Sequence, residues 1–238
     1  MVICLETATN ICSVALCNSA GVITVKESTE SKSHASMLTL LIDAVLKENG
    51  IKVRDLEAVA VSKGPGSYTG LRIGVSVAKG IAFAASLPLI GIATTLSMFW
   101  GISGKWKERP GNEDNTLFCP MIDARRMEVY YAIYDATGSI IKDISAEIIN
   151  EASFQNIPES DRIIFFGDGA AKCKEVIKRR NIFVADDFKI SASYMHEPVF
   201  QSIKNRDFED VAYFEPFYLK DFTASIPGKN ILRNQQEL

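Results

Sequence analysis

The sequence predicts an α/β protein of two similar lobes, each a mixed sheet covered by helices. Three observations predict it. The element order read from apolar periodicity, β-β-β-α-β-α-β-α, occurs twice. The two copies are separated by a strongly polar run, KWKERPGNEDN, at residues 105–115. And 238 residues, 47% of them apolar and 23% charged, suffice for one large or two small cores.

Residues 2–6 are a short apolar run, and residues 12–17 alternate, with Cys12, Val14 and Leu16 on one side. Gly21 opens a third β-rich run at 22–25, and the breaks at 7–10 and 18–21 hold turn residues, so three strands in a meander are expected. Helical periodicity over 33–49 stops at Gly50. A strand at 56–61, a glycine-rich loop at 63–70, a helix at 71–86 and a strand at 89–93 follow, with Thr94 or Thr95 placed to cap the next helix. In the second half, strands are expected at 117–122, 128–134 and 140–149, the latter two joined by a turn at 135–138. A short helix at 151–155, a strand at 163–166, a helix at 170–180, a brief strand at 183–184 and a last helix at 191–205 complete the pattern. The expected divisions are a lobe at 1–104, an exposed link at 105–115, a lobe at 116–220 and a frayed tail at 221–238, which carries Pro227 and Gly228.

Several function classes are excluded early. A net charge of −3 removes the basic footprint of a stand-alone nucleic-acid binder. Five cysteines, an odd number with no C-x-x-C, argue against a disulfide framework or a zinc ribbon. The opening Met1-Val2-Ile3-Cys4-Leu5-Glu6 has no cationic region and does not read as a signal peptide. Residues 80–104 carry no charge, but Pro88, Gly91 and Gly101 interrupt them, so a buried helix, strand and helix in series are expected rather than a membrane span. A reducing, cytoplasmic compartment follows. His34 and His196 are the only histidines and lie far apart, so no histidine-based metal site or nucleophile–His–acid set can be assembled from spacing.

Three short segments have the residue types of an anion or nucleotide site. Lys63-Gly64-Pro65-Gly66-Ser67-Tyr68-Thr69-Gly70-Leu71-Arg72 puts glycines before a helix N-terminus, as a phosphate contact or a tight strand-to-helix turn requires. It is not a G-x-x-x-x-G-K-[ST] loop. Glu6-Thr7 and its counterpart Asp123-Ala124-Arg125-Arg126 each start with an acid at a strand end, suited to a cation and phosphates or to ordinary hairpin turns. Gly167-Asp168-Gly169 reads first as a plain strand-to-helix turn and second as a nucleotide-base contact. A nucleotide cleft, if built, would use Glu6, Thr7, Asp123, Arg125, Gly167 and Gly169.

The two helices of the first half carry a different message. At 100° per residue, the first leaves only Ser36, Thr39, Asp43 and Lys47 on its polar stripe, so its apolar arc is about 240°, against a little over 100° for a helix covering one core. In the second helix Gly70, Gly74, Ala78 and Ala82 recur every fourth residue, a ridge that admits another helix closely. The pair is expected to expose an apolar face that docks another protein.

Leu5-Glu6-Thr7-Ala8-Thr9, Ser33-His34-Ala35, the run from Ser62 through G-P-G-S-Y-T-G-L-R-I-G to Gly74, and Ile122-Asp123-Ala124-Arg125-Arg126-Met127-Glu128-Val129-Tyr130 resemble the TsaB (YeaZ) family. The resemblance covers most of the chain and is strongest up to about Gly101. It implies an actin/Hsp70-type (ASKHA) two-lobed fold and a helper role in placing threonylcarbamoyl on adenosine beside the anticodon of tRNA. It also implies a heterodimer with the catalytic paralogue TsaD through the two N-terminal helices, recruitment of the ATPase TsaE, self-association when alone, and tRNA contact only through the complex. The docking residues expected on this basis are His34, Met37, Leu38, Leu41, Val45, Leu71, Gly74, Val75 and Ala78. The paralogue carries an H-x-x-x-H metal pair after a P-L-x-G-x strand. Here Pro88-Leu89-Ile90-Gly91-Ile92 is followed by Thr94 and Met98, or Thr95 and Phe99, in those slots. No metal, no cofactor and no catalytic residue are therefore expected. The alternative is a phosphotransferase or acyltransferase of the same fold, with Glu6 and Asp123 holding magnesium and ATP.

Overall fold

The computed structural model describes residues 1–29, 34–107 and 115–220. Strands β1 (Val2–Glu6), β2 (Cys12–Asn18) and β3 (Gly21–Ser28) form the first meander, followed by α1 (His34–Glu48), β4 (Ala58–Gly64), α2 (Tyr68–Ala85), β5 (Leu89–Ala93) and α3 (Thr94–Lys107). The second half runs β6 (Thr116–Asp123), β7 (Glu128–Tyr134), β8 (Ile140–Ile148), β9 (Arg162–Phe166), α4 (Ala170–Val176), β10 (Ile182–Ala185), a 3₁₀ turn (Ala192–Met195) and α5 (His196–Asn205).

The duplication is explicit in the pairing. The first sheet has the order β3-β2-β1-β4-β5 and the second β8-β7-β6-β9-β10. In each, the first two pairings are antiparallel and the rest parallel, with Val2 opposite Cys17 and Ala58, and Phe118 opposite Tyr134 and Ile164. The lobes differ where α1 lies in the first. At the equivalent place the second has turns at 151–156, not the short helix expected at 151–155. Asn150 caps that turn by accepting from Ala152 N–H, and Phe154 takes a positive φ of 66°, which a continuing helix does not allow. The helix expected at 170–180 stops at Val176.

Each sheet is covered on both faces. Ile3, Leu5, Val14, Leu16, Val59 and Val61 point to α1 and α2. Val2, Cys4, Ala15, Ala60, Ile90 and Ile92 point to Ala192, Met195 and Val199. The 3₁₀ turn and α5 thus pack on the first sheet, although they follow the second in sequence. On the second sheet Tyr131, Ile163 and Phe165 meet α4 and Phe154, and Phe118, Ile164 and Phe166 meet Met98, Phe99 and Ile102 of α3. Helix α3 therefore joins the lobes and reaches residue 107, into the stretch expected as a link, whose residues 108–114 lie outside the described residues. The tail expected at 221–238 also lies outside them.

Residues 207–218 correct the expected boundary at 220. They return to the first lobe as a strap. Glu209 N–H donates to the Leu89 carbonyl at 2.8 Å, Phe217 N–H donates to the Lys63 carbonyl at 2.6 Å, and Phe214 enters the first core at 8% exposure. Lys79 Nζ donates to the carbonyls of Ala212 (3.1 Å) and Phe214 (2.9 Å). The physical reason is the open edge of β5: an unpaired strand edge and an apolar helix flank are both covered by one extended segment. Five aromatics within 208–218 are the signal in the sequence for this segment.

The uncharged stretch 80–104 is the end of α2, β5 and the start of α3 in series, as expected. Among the described residues no helix is long and apolar enough to cross a membrane. All five cysteines are buried free thiols.

Candidate functional site

Two places on the molecule answer to the residue patterns: the cleft between the lobes and the outer face of α1 and α2.

The glycine-rich segment between β4 and α2 is occupied by the chain itself. Ser67 caps α2, its hydroxyl accepting from Gly70 N–H at 3.3 Å. A Cβ on Gly70 would strike the Thr7 carbonyl, and one on Gly74 would strike Thr7 Oγ1. The glycines serve close approach, but of α2 to the end of β1 rather than to a phosphate. The Gly70–Gly74–Ala78–Ala82 ridge thus faces the chain's own sheet, where Ala78 and Ala82 are at most 1% exposed.

Glu6 lies at the C-terminal end of β1 and is fully buried. Its Oε1 accepts from Ala8 N–H at 2.6 Å and from Ser62 Oγ at 2.9 Å, tying the β1–β2 turn to β4. Its Oε2 and the Thr7 hydroxyl are buried without a hydrogen-bond partner. Burial pushes the Glu6 carboxyl up to about 7, against the hydrogen bonds that lower it. Glu6 and Thr7, expected in a nucleotide cleft, are therefore structural residues turned into the protein.

Asp123 is exposed at the end of β6. Its Oδ1 accepts from Arg125 N–H at 2.8 Å and from Lys172 Nζ, and its own N–H donates to Asp168 Oδ1 at 2.9 Å. Gly169 N–H donates to the Met121 carbonyl at 3.1 Å, and a Cβ on Gly167, which has a φ of 101°, would strike that same carbonyl. Of the six expected cleft residues only Gly167 lines the cavity between the lobes. That cavity, about 300 Å³, is formed by Thr9, Asn10 and Ile11 from the first lobe, Met98 from α3, and Gly167, Asp168, Ala170, Ala171, Val184, Asp186, Phe188, Lys189 and Ile190. Its charged side chains are Asp168, Asp186 and Lys189. Two carboxylates and one ammonium do not favour a polyphosphate. A larger hollow of about 760 Å³ lies elsewhere on the second lobe, lined by Glu151, Gln155 and Arg179 among others.

At the start of α3, Thr94 and Thr95 are fully buried. Thr95 Oγ1 and Tyr134 OH are 2.9 Å apart, joining the lobes, while Thr94 Oγ1 has no partner, so neither hydroxyl caps the helix as expected. Met98 packs on Gly167, and Phe99 is surrounded by Trp100, Phe118 and Tyr134 at ring distances of 5.3–5.5 Å. These four positions build a joint between lobes. Among the described residues no group of three or more His, Cys, Asp or Glu side chains could hold a metal ion.

The outer face of the helix pair differs from the expected one in its membership. Leu38, Val45, Leu71, Val75 and Ala78 are at most 4% exposed, and Gly74 is buried, because these residues point down onto β1, β2 and β4. They do not form a docking surface. His34, Met37 and Leu41 are half-buried at its margin. Outward stand Leu40 at 61% and Phe83 at 82%, while Ile73, Val77 and Ile81 are half-buried against the first core. An apolar arc of about 240° is thus divided between the core and the surface. Tyr213 of the strap is 84% exposed and flanks Lys79, one helical turn before Phe83.

The family model described as TsaD, tRNA N6-adenosine threonylcarbamoyltransferase, matches residues 24–227. The chain is 29% identical over 242 residues to the tRNA threonylcarbamoyladenosine biosynthesis protein TsaB of Escherichia coli (strain K12), covering 96% of this chain and 99% of that protein. Over 62 residues it is 47% identical to the tRNA N6-adenosine threonylcarbamoyltransferase of Halalkalibacterium halodurans, a match spanning 26% of this chain and 18% of that one. The structure of YeaZ from Pseudomonas aeruginosa aligns with a TM-score of 0.78 at 20% identity, over 92% of this chain and 99% of that chain. The two-lobed α/β fold that the sequence resemblance implied is the fold of this YeaZ structure.

Proposed function

The chain belongs to the TsaD family, on its TsaB/YeaZ side, and from that premise we propose that it is a non-catalytic subunit in the biosynthesis of tRNA threonylcarbamoyladenosine. It pairs with a catalytic TsaD through the outer face of α1 and α2, and the pair recruits the ATPase TsaE in the cytoplasm. Alone, it associates with a second copy through the same face, and it meets tRNA as part of the complex.

The observation that carries this reading is the apolar side chains left exposed on the helix pair after its core is filled, Leu40 on α1 and Phe83 on α2. Large exposed apolar side chains on rigid helices are what a partner interface requires. Supporting it, the places where an ATP-dependent transferase would hold phosphate and metal are taken by the chain's own contacts: Glu6 inside the β1–β2 turn, Thr7 against Gly70 and Gly74, and Asp123 on Lys172. No observation favours the phosphotransferase or acyltransferase reading.

The test is co-purification with the TsaD of the same cell. Leu40→Glu with Phe83→Glu is expected to abolish the complex and leave the circular dichroism and melting temperature of the isolated chain unchanged. If the double variant still co-purifies with TsaD and supports tRNA modification, the interface lies elsewhere. Val45→Glu is unsuitable, since Val45 is fully buried and the charge would unfold the lobe.

A further inference from the structure

The turn between β6 and β7 holds two consecutive arginines in a conformation that arginine avoids. Arg125 has φ 71° and Arg126 φ 48°. Left-handed backbone at adjacent positions of a hairpin is the place of Gly, Asn or Asp, because a longer side chain there costs free energy at Cβ. The turn is held in spite of that cost. Lys172 Nζ donates to Asp123 Oδ1, to the Arg126 carbonyl at 2.9 Å and to the Glu128 carbonyl at 2.6 Å. Asp123 Oδ1 also accepts Arg125 N–H at 2.8 Å, and Ala124 N–H donates to the Glu128 carbonyl at 3.1 Å.

None of these bonds uses a guanidinium. Both arginine side chains are exposed, and among the described residues neither has an ion pair or a side-chain hydrogen bond. The nearby acids are largely spoken for: Asp123 pairs with Lys172, Glu128 with Lys220, and Asp168 accepts the Asp123 N–H. The scaffold therefore spends its hydrogen bonds on the backbone and leaves two planar, bidentate donors facing solvent. Strain kept where a glycine would relieve it points to use of the side chains.

We infer that Arg125 and Arg126 form a contact for RNA backbone phosphates. This rests on the proposed function, because the RNA is the tRNA that the complex modifies. Guanidinium matches phosphate with paired N–H donors, and two such contacts add affinity that falls with salt. They add no base recognition, so the contact positions RNA and leaves the reading of sequence to other surfaces.

The experiment compares wild type, Arg125→Gly/Arg126→Gly and Arg125→Lys/Arg126→Lys, each assembled with TsaD and titrated with transcribed tRNA over a range of salt. The glycine variant is expected to bind tRNA about 10-fold more weakly at low salt, with a log–log salt slope smaller by about 2. The lysine variant keeps most of the slope. The same glycine variant relieves the backbone, so its melting temperature is expected to hold or to rise by about 2–4 °C. Unchanged affinity for tRNA overturns the inference, and so does a melting temperature that falls, since the arginines are then structural. If the wild-type chain forms no complex with TsaD, the proposed function has failed instead, and binding of tRNA by the isolated chain, wild type against the glycine variant, still decides the arginine contact.

Discussion

Lys63 and Glu209, 146 residues apart in the chain, form an ion pair at 3.0 Å. Lys63 is the penultimate residue of β4, and Glu209 pairs with Leu89 at the edge of β5, so the pair marks where the C-terminal strap fastens to the first sheet. The bond itself is the lesser part of that attachment. Both side chains remain about one-third exposed, at 37% and 29%, and an exposed pair contributes at most about 1 kcal/mol. Phe214, buried under Gly91 with an 8% exposed surface, carries more.

Phe214→Ala is accordingly expected to destabilise the protein by about 3–4 kcal/mol, and Glu209→Ala by less than about 1 kcal/mol. Urea unfolding of the two variants checks the ranking. Equal effects would mean that the strap is held by charge rather than by burial.

Glu6→Gln tests the buried carboxylate. The folded-state value of about 7 lies above the ordinary 4.5, so the folded protein binds this proton more tightly than the unfolded chain does. Stability from this site is therefore greatest at low pH, is lost as pH rises from about 4.5 to about 7, and stays constant above that. The loss is on the order of 3 kcal/mol. Glutamine removes it, so the stability difference between variant and wild type should move in the variant's favour by roughly that amount between pH 4.5 and pH 8. A difference independent of pH would show that the Glu6 carboxyl titrates alike in the folded and the unfolded chain.

Gly74→Ala and Gly80→Ala lie on the same helix and are expected to act in opposite directions. A methyl group on Gly74 meets the Thr7 hydroxyl, and overpacking there costs about 1–3 kcal/mol. At Gly80 nothing lies within 4 Å, and alanine gains up to about 1 kcal/mol of helix propensity. Thermal melts of the two variants decide it, and a stabilised Gly74→Ala would remove the close contact between α2 and β1.

Leu38→Ala and Leu40→Ala separate core from surface on α1. Leu38 is fully buried and its truncation is expected to cost about 2–5 kcal/mol. Leu40 is 61% exposed, so its truncation should leave stability within about 0.5 kcal/mol of wild type and weaken partner binding instead. A large stability loss at Leu40 would place that side chain in the core.

The sequence by itself determined the two-lobed element order, because apolar periodicity and turn residues act within a few positions of each other. It also pointed to the family through four segments, the glycine-rich one the longest, and it placed an apolar surplus on α1 and α2. What it left undecided is which way that surplus points. The 240° arc counts apolar side chains around an axis, but Leu38 and Leu40 exchange roles only when β1, β2 and β4 are set beneath the helix. The same holds for Gly70 and Gly74, whose neighbour is Thr7, more than sixty residues earlier, and for Glu6, whose carboxyl is closed in by Ser62. The strap at 207–218 has no periodic signal, since an extended segment at a sheet edge is stabilised by carbonyls and pockets on another part of the chain. Those partners are brought within reach only by long-range folding, and that is why only the assembled fold settled which side of the helices is exposed, the burial of Glu6 and the fate of the glycines.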